Sequence, residues 1–300
     1  MAKNSLYIIG NGFDLYHDIP SCYCDFGIYV KSSNSHLYEI FERYIPRDGD
    51  GNWSKFEEAL ADIDVESILD DIPLAYYGAD DWSDSGHHDF QYEVEKLADA
   101  LSNDLKKIFT HWILTLQIPD SLTCQTPLLN LDLGASYLSF NYTNTLEKLY
   151  HVNPSKILYI HNKAIDLTSD LILGHAFNPK NRPSLNQDCD LESQDTRITE
   201  ANFILDDYFS RTYKPVDFVI REHESFFDLL TNTNKIYVLG HSLSSVDVPY
   251  FKQIVNRVAD SEPDWTITYY CESEISSFKK TLLGLGVSEA KINFIEMCDV

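Results

Sequence analysis

The sequence predicts an α/β protein with a doubly wound, mostly parallel sheet and a large helical insertion after the first strand. Three observations carry this. Short apolar runs alternate with helical patterns, as in a parallel sheet wrapped by helices. Several of those runs are apolar at consecutive positions, which suits strands covered on both faces. The first run ends at Gly10-Asn11-Gly12-Phe13-Asp14, a turn that leads straight into residues able to open a helix.

In chain order, strands are expected at 5–9, 135–140, 156–160, 171–174, 235–239, 266–270 and 292–295. Helical patterns fall at 143–150, 217–231, 247–259 and 274–284. Residues 28–128 keep helical periodicity almost throughout, through Phe56, Leu60 and Ile63 and later Val94, Leu97, Leu101, Leu105 and Ile108. They read as an acidic helical insertion in a single domain of residues 1–300, whose core is formed by about 1–27 and 129–300. Within this stretch Asp80–His88 reads as a loop, and 176–198, rich in Asn, Pro, Asp and Ser, as a second irregular segment.

Apolar content of 44% and aromatic content of 13% belong to a packed globular chain. No apolar run approaches the roughly 18–20 residues of a membrane span. The chain enters a strand with no signal-peptide pattern, so a cytoplasmic protein is expected. Cys22, Cys24, Cys124, Cys189, Cys271 and Cys298 form no paired C-x-x-C motif, and free, mostly buried thiols are expected. The formal charge is −24, and residues 48–104 alone hold 17 acidic side chains against Lys55 and Lys96. Such a chain repels a phosphate backbone, which disfavours general nucleic-acid binding. A metal-dependent nuclease has acidic residues in plenty but no clear ligand spacing, and no metal is predicted.

Four segments run from a strand directly into polar residues, and in open α/β sheets such residues converge on one rim. In the first, Gly10 and Gly12 allow close backbone approach, and Asp14 can cap a helix or bind a ribose hydroxyl; an ordinary βα turn explains them equally. The second is Phe140-Asn141-Tyr142-Thr143-Asn144-Thr145, where Asn141 can hold a ribose or orient water and Thr143 is an available helix N-cap. The third is Ile160-His161-Asn162, whose histidine is either a general base or a structural hydrogen-bonder. A similar strand end is read at Gly174-His175, before Asn178, Lys180 and Arg182. The fourth is Gly240-His241-Ser242-Leu243-Ser244, followed by Asp247, which can serve as an N-cap. Position 244 lacks the second glycine of a hydrolase nucleophile elbow.

Together these segments resemble the AbiH-type abortive-infection proteins of bacteria. The resemblance rests on Ile8–Leu15 with His17, Ile19-Pro20-Ser21, Tyr23 and Asp25-Phe26, on Trp53-x-x-Phe56-Glu57, and on Phe140-Asn141-Tyr142-Thr143-x-Thr145-Leu146-Glu147. Ile160-His161 and Leu239-Gly240-His241-Ser242 complete it. More remotely, the arrangement is similar to Rossmann-like, sirtuin-like domains of anti-phage systems, although Asn162 stands where that pattern has glycine. The resemblance implies an anti-phage effector that takes NAD as substrate and hydrolyses its nicotinamide–ribose bond. On that analogy Asn141 holds ribose and water and His161 is the base. Gly10, Gly12 and Asp14 frame the pyrophosphate and ribose, and Ser242 lies near the adenine-side ribose. Asn11, Phe13, Thr143, Gly240, His241 and Asp247 complete the cofactor-binding set. The alternative is a non-catalytic nucleotide-binding sensor acting through a homo-oligomer or a defence-system partner.

Overall fold

A computed structural model of the protein describes residues 4–47, 53, 55–72, 84–187 and 194–300, with side chains from position 89 onward in the third of these long stretches. The described chain separates into two compact units. The first comprises residues 1–22, 110–172 and 215–300, and the second 23–109 and 173–214.

The first unit carries a six-stranded parallel sheet. Its strands are β1 (Ser5–Ile9), β2 (Ser136–Ser139), β3 (Ile157–Tyr159), β4 (Lys235–Leu239), β5 (Asp264–Tyr269) and β6 (Ile292–Glu296). Their spatial order is β3-β2-β1-β4-β5-β6, the doubly wound order in which the chain reverses direction between β1 and β4. The expected α/β, Rossmann-like architecture is therefore present.

Side-chain alternation explains the continuous apolar strands. Leu6 and Ile8 join one core with Leu138, Ile236, Val238 and Ile267. Tyr7 and Ile9 join the opposite core with Tyr137, Leu239 and Phe13. On that second face Tyr7 stacks between Tyr137, at 5.1 Å, and Tyr237, at 4.7 Å. The three tyrosines are in register across β2, β1 and β4, so one aromatic ladder ties the central strands together.

Helices in chain order begin with α1 (Asn11–Tyr16), in the first unit. The second unit holds α2 (Tyr23–Ser33), α3 (Ser35–Tyr44), α4 (Phe56–Ala59), α5 (Val65–Asp71) and α6 (Asp84–Asp99). A π turn at Ala100–Asp104 continues α6 into α7 (Leu105–Thr115). Next come α8 (Thr145–Lys148), α9 (Thr196–Arg211), α10 (Val216–Glu222), α11 (Glu224–Asp228), α12 (Val248–Arg257) and α13 (Glu272–Gly284).

Several expectations are corrected. Residues 171–174 form no strand: Ile172 donates a backbone hydrogen bond to His161, then the chain leaves, and His175 bridges to Tyr213 instead. The helix expected over 143–150 shrinks to α8, because His151 takes a left-handed φ of 57° and Val152 closes back onto Leu146. The helix expected over 217–231 breaks at His223 and ends in a 3₁₀ turn at Leu229–Asn232. Asp84–His88 open α6 rather than a loop, while 80–83 lie outside the described residues. Helical structure in the expected insertion stops at Thr115; Asp120 then folds the chain over its own side chain by accepting the amides of Leu122 and Thr123. The segment 176–198 already contains the start of α9, where Asp195 caps the helix through the Arg197 amide.

Cys22 and Cys24, expected as free thiols, are joined as a disulfide. Cys271 and Cys298 are exposed rather than buried, Cys124 is half-buried, and all three are free. Cys189 lies outside the described residues.

Candidate functional site

The ends of β3, β2, β1 and β4 stand side by side, and each delivers one of the expected polar segments to the carboxyl rim. The reversal point between β1 and β4 is the place where open sheets of this order bind ligands. Here the two loops touch backbone to backbone. Gly10 donates to the Leu239 carbonyl at 2.9 Å and Gly12 to the Gly240 carbonyl at 2.7 Å. A Cβ on Gly12 would meet the Gly240 Cα at 2.8 Å, and Gly240 itself is left-handed at φ 64°. These glycines therefore allow two loops to pack. The amides of Gly10 and Gly12, with that of Phe13 on the Gly10 carbonyl, are thus engaged within this packing.

Asn11 is exposed, and its side chain is tied to Ser21 through two hydrogen bonds. Phe13 is fully buried against His17 and Tyr150, away from the rim's polar groups. Asp14 instead turns from α1 toward the loop after β2. It is fully buried, and its Oδ2 accepts the Thr143 hydroxyl at 2.5 Å. Thr143 in turn lies 3.1 Å from the Thr145 hydroxyl. Burial raises the Asp14 carboxyl to about 6, against the lowering effects of Thr143, Thr145 and Asn141. Neither Asp14 Oδ1 nor the buried Asn141 Nδ2 makes a hydrogen bond among the described residues.

Thr143 does not cap α8, whose N-cap position is Asn144. Glu147, within the same motif, accepts the Tyr159 hydroxyl at 2.9 Å and pairs with Lys163, which ties the β2 and β3 loops together.

His161 is 2% exposed and His241 5%. Their rings meet the Phe140 ring edge-on, at 5.2 and 4.4 Å between centroids. Asp247 lies between them, 3.6 Å from His161 Nε2 and 3.5 Å from His241 Nε2. Asn162, after His161, adopts φ 63°, the left-handed conformation that asparagine tolerates better than most residues. Ser242 is exposed at the rim.

The structure thus brings together Asp14, Asn141 and Thr143 in one polar cluster, and His161, His241 and Asp247 in another. Sequence reasoning missed Phe140 and Tyr250, the aromatic rings packed on His161, because an aromatic residue after a strand or on the apolar face of a helix reads as ordinary core. The Gly174-His175 segment belongs to the second unit and is no strand end of this sheet. Arg182 from that stretch donates to the Ala61 carbonyl and lies 3.5 Å over the Phe209 ring. A cavity of about 220 Å³ in the second unit, lined in part by Phe41, Trp53 and Phe56, includes none of the rim residues.

A parallel sheet in this order, with buried polar groups gathered at its reversal point, defines the class of doubly wound α/β proteins. Within that class the family profile of bacteriophage abortive infection AbiH matches residues 6–269, so the chain belongs to the AbiH family. That membership assigns it to phage abortive infection. Comparison with curated proteins and with solved structures finds no match. Among the described residues, no helix is long and apolar enough to cross a membrane.

Proposed function

We propose that the rim binds the ribose of NAD and hydrolyses the nicotinamide–ribose bond, which would deplete the cofactor during phage infection in the cytoplasm. The observation that supports this is the pair of unsatisfied buried atoms, Asp14 Oδ1 and Asn141 Nδ2. Leaving a buried polar group unpaired costs about 1–3 kcal/mol. A sugar hydroxyl removes both costs, since it donates to the carboxylate and accepts from the amide.

The chemistry asks for orientation more than strong acid. Nicotinamide leaves as a neutral base from a cationic ring, so the ribose passes through an oxocarbenium-like state. Water attacks that carbon, Asn141 orients ribose and water, and His161 takes the proton released. Ser242 is left to the adenine-side ribose.

A second reading, a nucleotide sensor that signals through a homo-oligomer or a partner protein, is favoured by the near-complete burial of Asn141 and His161. Release of nicotinamide from NAD by the wild type, lost in Asn141→Ala and His161→Ala with the fold intact, supports hydrolysis. Nucleotide binding without release, unaffected by His161→Ala, would replace hydrolysis with the sensor. Gly12→Val does not discriminate, because its side chain would collide with Gly240 whichever reading holds.

A further inference from the structure

Asp247 occupies the N-cap position of α12, yet its side chain makes no capping hydrogen bond. The carboxylate faces the two imidazoles instead. Oδ1 lies 3.6 Å from His161 Nε2, and Oδ2 lies 3.5 Å from His241 Nε2. Ser244 Oγ donates to Oδ2 at 3.1 Å. All three ionisable side chains are largely buried, at 3%, 4% and 14% exposure for His161, His241 and Asp247. Charge placed there is weakly screened by solvent.

The proton positions follow from the partners. His241 Nδ1 accepts the Leu243 amide at 2.9 Å, so its proton sits on Nε2 and points to Asp247. The Leu243 backbone is itself left-handed, at φ 53°, a conformation that costs a leucine free energy and persists where surrounding structure holds it. For His161 the carboxylate itself favours the same tautomer: Oδ1 faces Nε2 at 3.6 Å, so a proton on Nε2 points at the charge and the basic lone pair is left on Nδ1. Phe140 packs edge-on against both rings, and Tyr250 lies 5.6 Å from the His161 ring, so neither imidazole can turn without displacing an aromatic neighbour.

We propose that Asp247 is the positioning residue of His161, and that His241 braces the carboxylate from its other side. This rests on the reading of His161 as the base of the rim. The carboxylate fixes which nitrogen of His161 can accept a proton, and it stabilises the imidazolium formed when His161 does so. The 3.5–3.6 Å spacings are those of ion pairs, longer than hydrogen bonds, and catalytic hydrogen bonds are commonly long in enzymes without bound substrate.

The test uses the full chain and the NMR titration of the histidine ring protons, with the His161 signal assigned by its loss in His161→Gln. Groups set against His161 include Asp247, Phe140, Tyr142 and Tyr250, and those set against Asp247 include His161, His241 and Ser244. Asp247→Asn removes the charge and is expected to lower the His161 midpoint by about one pH unit. In the NAD reaction the same variant should lower kcat about tenfold or more with KM nearly constant, and move the acid limb of kcat/KM down by the same pH shift.

A His161 titration in Asp247→Asn that superimposes on the wild type overturns the proposal. Should that variant not fold, His241→Asn carries the test. It keeps an acceptor for the Leu243 amide and removes the Nε2–H on Asp247, so the His161 midpoint should rise by about half a unit. An unchanged midpoint there overturns the proposal too. Absence of NAD cleavage by the wild type would sink the hydrolase reading, while the titration still decides the pairing.

Discussion

Asp14→Asn should make the protein more stable at neutral pH, an unusual expectation for a residue in the most recognisable motif of the chain. Asp14 is fully buried, one carboxyl oxygen has no hydrogen-bond partner, and burial lifts the group from 3.8 to about 6. Between those values the native state holds a proton that the unfolded chain has released. Stability therefore falls as pH rises through this window, and above pH 6 the full cost of the buried charge is present. A shift of about two units corresponds to about 3 kcal/mol. The asparagine oxygen still accepts the Thr143 hydroxyl, and the stronger bond that the charged carboxylate makes there is already included in the value of about 6. A net stabilisation of about 1–3 kcal/mol at pH 8 should shrink toward zero near pH 4. Urea unfolding of both proteins at pH 4.5, 6 and 8 measures it, and every other titrating group cancels in the difference. A stability difference independent of pH, or a less stable variant at pH 8, refutes the reasoning. A residue that lowers stability where it sits is retained for another reason, and ligand binding is the reason proposed for Asp14.

Two other perturbations follow from the same structure. His17 is buried, Tyr150 Oη lies 2.7 Å from its Nε2, and burial lowers its pKa to about 4. Its contribution to stability is complete above pH 6.5 and is lost as pH falls toward 4, by up to about 3 kcal/mol. The acid slope of unfolding free energy should thus be shallower in His17→Gln; His175, lowered to about 4 as well, keeps it from vanishing. An unchanged slope would count against this account of His17. At Asn162, where φ is 63°, Asn162→Gly should stay within about 1 kcal/mol of wild type, whereas Asn162→Val should lose about 1–3 kcal/mol in thermal unfolding. Equal losses in the two variants would show that the backbone conformation does not set the residue.

Much of the fold was legible because the sheet is buried on both faces. Ser5–Ile9 and Lys235–Leu239 run as largely apolar or aromatic stretches, and their boundaries matched the strands observed. The run Leu171-Ile172-Leu173-Gly174 misleads for the same reason: it is apolar, but apolarity records burial and cannot say whether a partner strand lies alongside. Helix ends were harder. The breaks at His151 and His223 depend on backbone turns that local composition does not announce.

The site was legible as a set of strand ends and illegible as a set of partnerships. Thr143 and Asp247 both stand beside the start of a helix, where threonine and aspartate are ordinary capping residues. Neither caps. Thr143 gives its hydroxyl to Asp14, more than a hundred residues earlier in the chain, and Asp247 faces imidazoles delivered by β3 and β4. A capping position needs only a neighbour in sequence, whereas these contacts need the sheet order that brings β1 beside β2 and β4. The helix starts forgo about 1 kcal/mol each in capping, and the side chains make long-range contacts at the rim instead. That exchange, repeated at two strand ends, is what a binding site built on a sheet edge requires. It is also why Asp14 and Asp247 divide the rim between them, one facing the amide of the β2 loop and the other the histidine after β3.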